Sequence, residues 1–298
     1  MTDRRPVADV VRELSAAAET LAAVGVYLSV MAGEQVVPVD VERRVAAVTS
    51  AVGDVSDVDR AQARSMAAVA RAILGQAAAF IADPLAPPNW SVSDTMVLQS
   101  LGQASASFAP LIRRVVAPQL EGCLDALNDN GTILDVGVGV AALAIALADT
   151  FPAARIVGLD VWLPALELAR TNVNASGAAD RIELREQDVC TLTDRDRFDL
   201  VWFAGPFIPA AVVDTALTRC ASALKPGGWL LFASFRGADP LGSALADLRT
   251  HRSGGPVLDV AAVIELLASR GLVDGRAIAL DAAIPSGIVA ARRPQSAK

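Results

Sequence analysis

Asp135, Asp160 and Asp188, with Gly137 and Gly139, are the residues of this sequence whose types and spacing could do chemistry. The glycines sit in Ile133-Leu134-Asp135-Val136-Gly137-Val138-Gly139-Val140-Ala141-Ala142, where an apolar, strand-like stretch meets a helical one. Glycine at such a junction lets a ligand approach the backbone, and the helix start offers it unpaired N–H groups. Asp160 ends the next apolar stretch, about 20 residues further on, where a carboxylate can accept from both hydroxyls of a ribose. Asp188, in Glu186-Gln187-Asp188-Val189, ends the stretch after that. The pattern points to a nucleotide-like ligand. Gly137-x-Gly139-x-x-Ala142 also satisfies a dinucleotide fingerprint, so an NAD(P)-dependent oxidoreductase is an alternative, although no hydride-transfer constellation accompanies it.

The elements that must position these residues alternate between strand and helix. Strands are expected over 132–136, 155–160, 182–187, 198–204, 229–235, 277–281 and 287–291, with helices over 141–150, 164–176, 210–224 and 260–270. Such alternation implies an α/β fold with a mostly parallel sheet of seven strands, helices covering both faces. The first third is different. Apolar residues recur at helical spacing over 7–28, 40–52 and 58–81, with Asp54 and Ser56 as candidate caps. Three prolines at 84, 87 and 88 break the pattern before a further helix over 93–127, kinked at Pro110 and Pro118. The expected division is an all-helical domain over 1–115 and a sheet domain over 116–298. His251, between Arg249 and Arg252, reads as part of a polar connection.

Composition narrows the class. Of 298 residues 53% are hydrophobic and 4% aromatic, which means close helix packing through alanine and strands rich in valine and isoleucine. A net charge of −7 argues against a partner held through phosphate contacts. The mean hydropathy of +0.42 raises the question of a membrane. The longest uncharged stretch, 95–112, carries Gln99, Ser100, Gln103, Ser105 and Ser107, so no spanning helix is expected. Three cysteines at no metal-like spacing and a single histidine leave no expected metal site. Asp9, Arg12 and Glu13 interrupt any apolar leader, so the cytoplasm is the expected compartment.

Five signposts in order, Asp135 to Ala141, Asp160, Gln187-Asp188, Phe198-Asp199 and Leu224-Lys225-Pro226-Gly227-Gly228, resemble the Rossmann-like class I S-adenosylmethionine-dependent methyltransferases over residues 131–293. The resemblance implies S-adenosyl-L-methionine as cofactor. It implies that Asp135, Gly137 and Gly139 border the methionine half and that Asp160 holds the ribose. Val161 and Trp162 then cover the adenine, Asp188 accepts from its amino group, and Val189 and Ala204 complete the cradle. Ala141 stands where the family pattern has a third glycine.

The acceptor is expected near Pro206 and Phe207, with Trp90 and Gln103 from the helical part. Family members acting on amides or exocyclic amines often carry Asn-Pro-Pro-Tyr at the Ala204–Phe207 position, and this chain lacks the asparagine. The histidine base that many small-molecule O-methyltransferases carry after the fourth strand is also missing, so no catalytic residue is assigned; Asp214 is the only acidic residue over 207–218. The expected reaction is methyl transfer to an oxygen of a small hydrophobic metabolite. Transfer to nitrogen or carbon, or a cofactor-binding protein without catalysis, are the alternatives. The expected partners are that metabolite and a second copy through the N-terminal helices, with neither nucleic acid nor membrane.

Overall fold

The computed structural model describes residues 5–85, 95–281, 284 and 286–295; Trp90 lies outside them. The chain forms two compact units, one from the described residues up to Ser105 and one from Ala106 onward. The division falls earlier than 115 because Ala109, Ile112 and Val116, fully buried, belong to the same core as the sheet residues Ile133, Trp202 and Leu231.

The helical unit holds α1 (Val7–Met31), α2 (Val39–Val52), α3 (Arg60–Ala82) and α4 (Thr95–Ala106). Small side chains let α1 and α3 approach closely: a Cβ added to Gly25 would sit 3.1 Å from that of Ala70. Asp59, not Asp54 or Ser56, caps α3; its carboxylate accepts from Gln62 N at 2.8 Å while the Gln62 side chain accepts from Asp59 N. A reciprocal pair satisfies two helix-end donors, whereas Asp54 merely holds the local turn through Ser56 N. By length and composition α1 and α3 could each cross a membrane, although charged residues such as Glu13 and Arg71 interrupt their apolar runs. They pair with each other around Leu28, Ala63 and Ala67.

The single expected helix over 93–127 is broken into pieces. After α4 come α5 (Phe108–Leu111), a π turn at Ile112–Val116, a 3-10 turn at Ala117–Gln119 and α6 (Cys123–Asn128). Pro110 and Pro118 lack the N–H that would continue the ladder, and Gly122 at φ 70° reverses the chain before α6.

The sheet contains β1 (Thr132–Val136), β2 (Arg155–Asp160), β3 (Ile182–Glu186), β4 (Phe198–Ala204), β5 (Leu224–Phe235), β6 (Val273–Ala277) and β7 (Ser286–Arg292), in the order β3-β2-β1-β4-β5-β7-β6. The first five are parallel and β7 runs antiparallel to β5 and β6. Successive residues alternate between two cores: Ile133, Leu200 and Trp229 face one, Leu134, Val201 and Leu230 the other. This double burial is why these strands read as continuous apolar runs. The connecting helices are α7 (Ala142–Thr150), α8 (Leu163–Ala175), α9 (Val213–Ala223), α10 (Pro240–Arg252) and α11 (Val260–Ser269).

Two elements differ from expectation. The strand expected over 277–281 lies earlier, at β6, because this edge strand is exposed at every position and has no buried alternation to reveal it. His251 belongs to the last turn of α10, not to a polar connection. Asp239 caps that helix through Gly242 N at 2.7 Å and Pro240 occupies its first position, but its few buried residues, Ala246 and Thr250, leave almost no apolar stripe.

Candidate cofactor and acceptor site

Strand order reverses between β1 and β4, and in open parallel sheets a crevice forms at such a point beyond the strands' carboxyl ends. The loop leaving β1 lies there. Gly137 N and Val138 N both donate to Leu159 O at 2.9 Å, which ties the loop to β2. Gly137 and Gly139 have φ values of 76° and 55°, and a Cβ on either would meet nothing within 4 Å. Both glycines therefore serve backbone conformation and leave open space above the loop, as a bound ligand requires. Ala141 takes the left-handed conformation itself, φ 64°, as the N-cap of α7; its methyl group is accommodated at a cost of about 1–2 kcal/mol. Behind the loop, Val138 fills the space at Gly158, where a Cβ would approach it to 2.5 Å.

Asp160 joins loop and strand. One carboxylate oxygen accepts from Gly139 N and the other from Trp162 N, both at 2.8 Å. Each oxygen keeps a second lone pair for a ligand hydroxyl. Burial raises its pKa above the ordinary 3.8, opposed by the backbone donors of Trp162, Gly139 and Val161. Asp135 is more deeply set: it is 2% exposed, and its Oδ2 has no hydrogen-bond partner. Burial, then the charge of Asp160, pushes its pKa up to about 7. A buried carboxyl oxygen without a donor, beside an open glycine loop, fits a cationic or donor-bearing ligand group.

The remaining expected residues of the sheet unit are distributed along the same carboxyl edge. Val161 is 64% exposed and Trp162 half-buried at the end of β2. Asp188, beyond β3, accepts from Cys190 N at 2.8 Å and caps the short turn Val189–Thr191, in which Val189 is buried. Its exposed carboxylate keeps acceptor capacity despite that local bond. Ala204 ends β4, and Pro206 and Phe207 form the turn after it. Gln103 lies half-buried in α4 of the helical unit.

The acceptor end includes residues that were not anticipated. The rings of Phe207 and Phe235 meet edge to face, with centroids 5.7 Å apart, forming an aromatic wall at the ends of β4 and β5. Phe108 packs on Trp202 at 5.0 Å. Gly255 presses against the β4 turn: a Cβ there would lie 2.5 Å from Pro206 O, and Gly254 O accepts from Ala210 N. Phe235 was legible as the last residue of an expected strand; the others depend on contacts distant in sequence. Asp214 is paired with Arg270 at 2.5 Å, and His251 is exposed. Among the described residues no group of three or more His, Cys, Asp or Glu side chains is arranged to hold a metal.

Residues 133–228 match the family model described as a methyltransferase domain. The sheet unit is a class I methyltransferase domain. The open glycine loop and the buried, unpaired Asp135 oxygen fit S-adenosyl-L-methionine, the cofactor that the sequence motifs imply. A release factor glutamine methyltransferase from Chlorobaculum tepidum is 40% identical over 87 residues, covering 28% of this chain and 30% of that protein. One from Cereibacter sphaeroides is 30% identical over 190 residues, 59% of this chain and 66% of the relative. A tRNA1(Val) (adenine(37)-N6)-methyltransferase from Vibrio campbellii is 36% identical over 75 residues, 25% and 31% of the two chains.

The chain thus spans about a third of the length of the first of these curated relatives. Among solved structures, the methyltransferase fold is shared with human N-acetylserotonin methyltransferase in complex with SAM, TM-score 0.66 and 14% identity, covering 99% of this chain and 100% of that one. Mitomycin 7-O-methyltransferase MmcR gives a TM-score of 0.59 at 20% identity, over 96% and 98% of the chains.

Proposed function

We propose that this chain transfers the methyl group of S-adenosyl-L-methionine to an oxygen of a small hydrophobic acceptor. The observation that carries the reading is the acceptor edge. Ala204-Gly205-Pro206-Phe207 presents no amide side chain, and Phe207 with Phe235 offers an apolar aromatic surface. Relatives named for glutamine or adenine methylation match over 25% to 59% of this chain, whereas mitomycin 7-O-methyltransferase shares the fold over 96% of it. When bound, the cofactor supplies an activated methyl carbon on a sulfonium. The protein's part is to hold that carbon and the acceptor oxygen in line, which converts an encounter between two molecules into a positioned displacement. Asp160 and the Gly137–Gly139 loop fix one reactant. The Pro206–Phe207 turn, backed by Gly255, shapes the surface for the other.

The test has two arms. Calorimetry measures cofactor binding, and mass spectrometry follows methylation across phenols, carboxylic acids and amines. Binding with turnover on oxygen acceptors supports the reading; turnover on amines alone overturns the oxygen assignment, and failure to bind the cofactor overturns all of it. Asp214 is held by Arg270 and is not poised as a base, which favours a second reading, a cofactor-binding protein without turnover. Single-turnover measurement with the same panel separates the two. The reading also includes a homodimer formed through the N-terminal helices and a reducing, cytoplasmic compartment, consistent with the free thiols of Cys123, Cys190 and Cys220.

A further inference from the structure

The helical unit contains a cavity of about 350 Å³ whose lining comes entirely from α1, α3, α4 and the turn after α1. Its size falls within the range of small-molecule sites and leaves room for about a dozen non-hydrogen atoms at liquid density. Ala22, Gly25 and Ala70 create the space, because none of them projects a long side chain into it. Leu21, Val26, Leu74 and Met96 make its walls apolar.

One corner is polar. Arg71 donates from Nη1 to the buried Ser29 Oγ at 2.7 Å and from Nη2 to Glu34 at 2.9 Å. Ser29 in turn donates to Gly25 O, so its hydroxyl proton is engaged and its oxygen serves to fix the guanidinium. Arg64 also donates to Glu34, at 2.9 Å, and Arg60 donates to Ala32 O on the adjoining turn. Arg60, Arg64 and Arg71 lie on one face of α3. Three guanidiniums therefore gather around the Ala32–Glu34 turn, opposed by Glu34 and, at the helix start, Asp59. The excess is positive in a chain whose net charge is −7. Each guanidinium carries more N–H donors than these bonds use.

We propose that this cavity binds a small apolar carboxylate, with its ring or chain among Leu21, Val26 and Leu74 and its carboxylate toward Arg71. The site is separate in its residues from the cofactor loop, and the inference does not depend on the identity of the methyl acceptor. An apolar body suits the walls, and an anionic end completes the charge that Glu34 leaves uncompensated.

Calorimetry on the full chain tests it with octanoate and 2-naphthoate as probes, against octanol and 2-naphthol of matching shape. The carboxylates are expected to bind about tenfold more tightly than the alcohols. Arg71→Gln should erase that difference, and Ala22→Phe, which fills the space, should abolish binding of both probe types. Helix content by circular dichroism, measured on the same samples, reports that the helical unit of each variant is folded. Equal affinity for acid and alcohol, octanoate binding that survives Ala22→Phe in a folded protein, or no probe binding at millimolar concentration would each overturn the proposal. Release of dimers into monomers by the probe, followed by sedimentation, would also overturn it, since the cavity would then be a seat for a second copy.

Discussion

The two aspartates at the crevice differ in what surrounds their oxygens, and that difference sets what each substitution does. Asp160 accepts from Gly139 N and Trp162 N, so it shapes the glycine loop as well as offering lone pairs to a ribose. Asp160→Ala should weaken S-adenosyl-L-methionine binding at least about tenfold by calorimetry, with Asp160→Asn intermediate because the amide keeps one acceptor oxygen. Asp135 has no such compensation at Oδ2. Its pKa is about 7 in the folded protein against an ordinary 3.8, so between about pH 4 and 7 the folded chain holds a proton that the unfolded chain has released. Stability from this group therefore falls as pH rises through that window. Asp135→Asn should be more stable than the parent at pH 8, by about 2–4 kcal/mol, and no more stable at pH 4, measured by urea unfolding without cofactor. An equal difference at the two pH values would show that Asp135 is not the titrating group. The cationic cofactor favours the ionised carboxylate, so its affinity should rise over the same window.

At the scale of elements, the β4 turn is held from outside by the turn that follows α10. Gly255→Ala would put a methyl group 2.5 Å from Pro206 O, so the acceptor turn must shift while the cofactor loop on β1 need not. Turnover should fall about tenfold with cofactor affinity unchanged, read as a split between kcat/KM and the cofactor Kd. A parallel loss of cofactor binding would refute that separation. On the amino side of the sheet, Trp229 fastens the broken helical segment to β5. Its Nε1 donates to Glu121 O at 3.1 Å, and the guanidiniums of Arg276 and Arg292 lie 4.9 and 5.6 Å from its ring. Trp229→Ala should cost about 3–5 kcal/mol in urea unfolding, because it leaves a large cavity and an unpaired carbonyl at Glu121.

The whole molecule is two units with different ways of burying apolar surface. The sheet unit hides valine, leucine and phenylalanine on both faces, while the helical unit leaves Met66, Val69 and Ile73 of α3 at 48%, 40% and 37% exposure. These three recur at helical spacing and form one stripe, which supports the proposed dimer. The double substitution Val69→Glu and Ile73→Glu should convert a dimer to a monomer in sedimentation equilibrium. A parent protein that sediments as a monomer at micromolar concentration would remove the dimer from the reading.

The central strands and the order of the cofactor motifs were legible in the sequence because they are local. Arg155–Asp160 and Phe198–Ala204 fall within the expected limits, since burial on both faces demands unbroken apolar runs. Asp135, Gly137, Gly139 and Asp160 could be singled out because each stands at the end of such a run. What tertiary structure decided is where packing competes with local preference. It divided the chain at Ser105, broke the helix after α4, placed the exposed β6 and made His251 part of α10. It also gave Asp135 its unpaired oxygen, Gly255 its contact with Pro206, and α1, α3 and α4 a shared cavity with a cationic corner. Each of these depends on the distance between groups far apart along the chain, and no pattern of neighbouring residues encodes that distance.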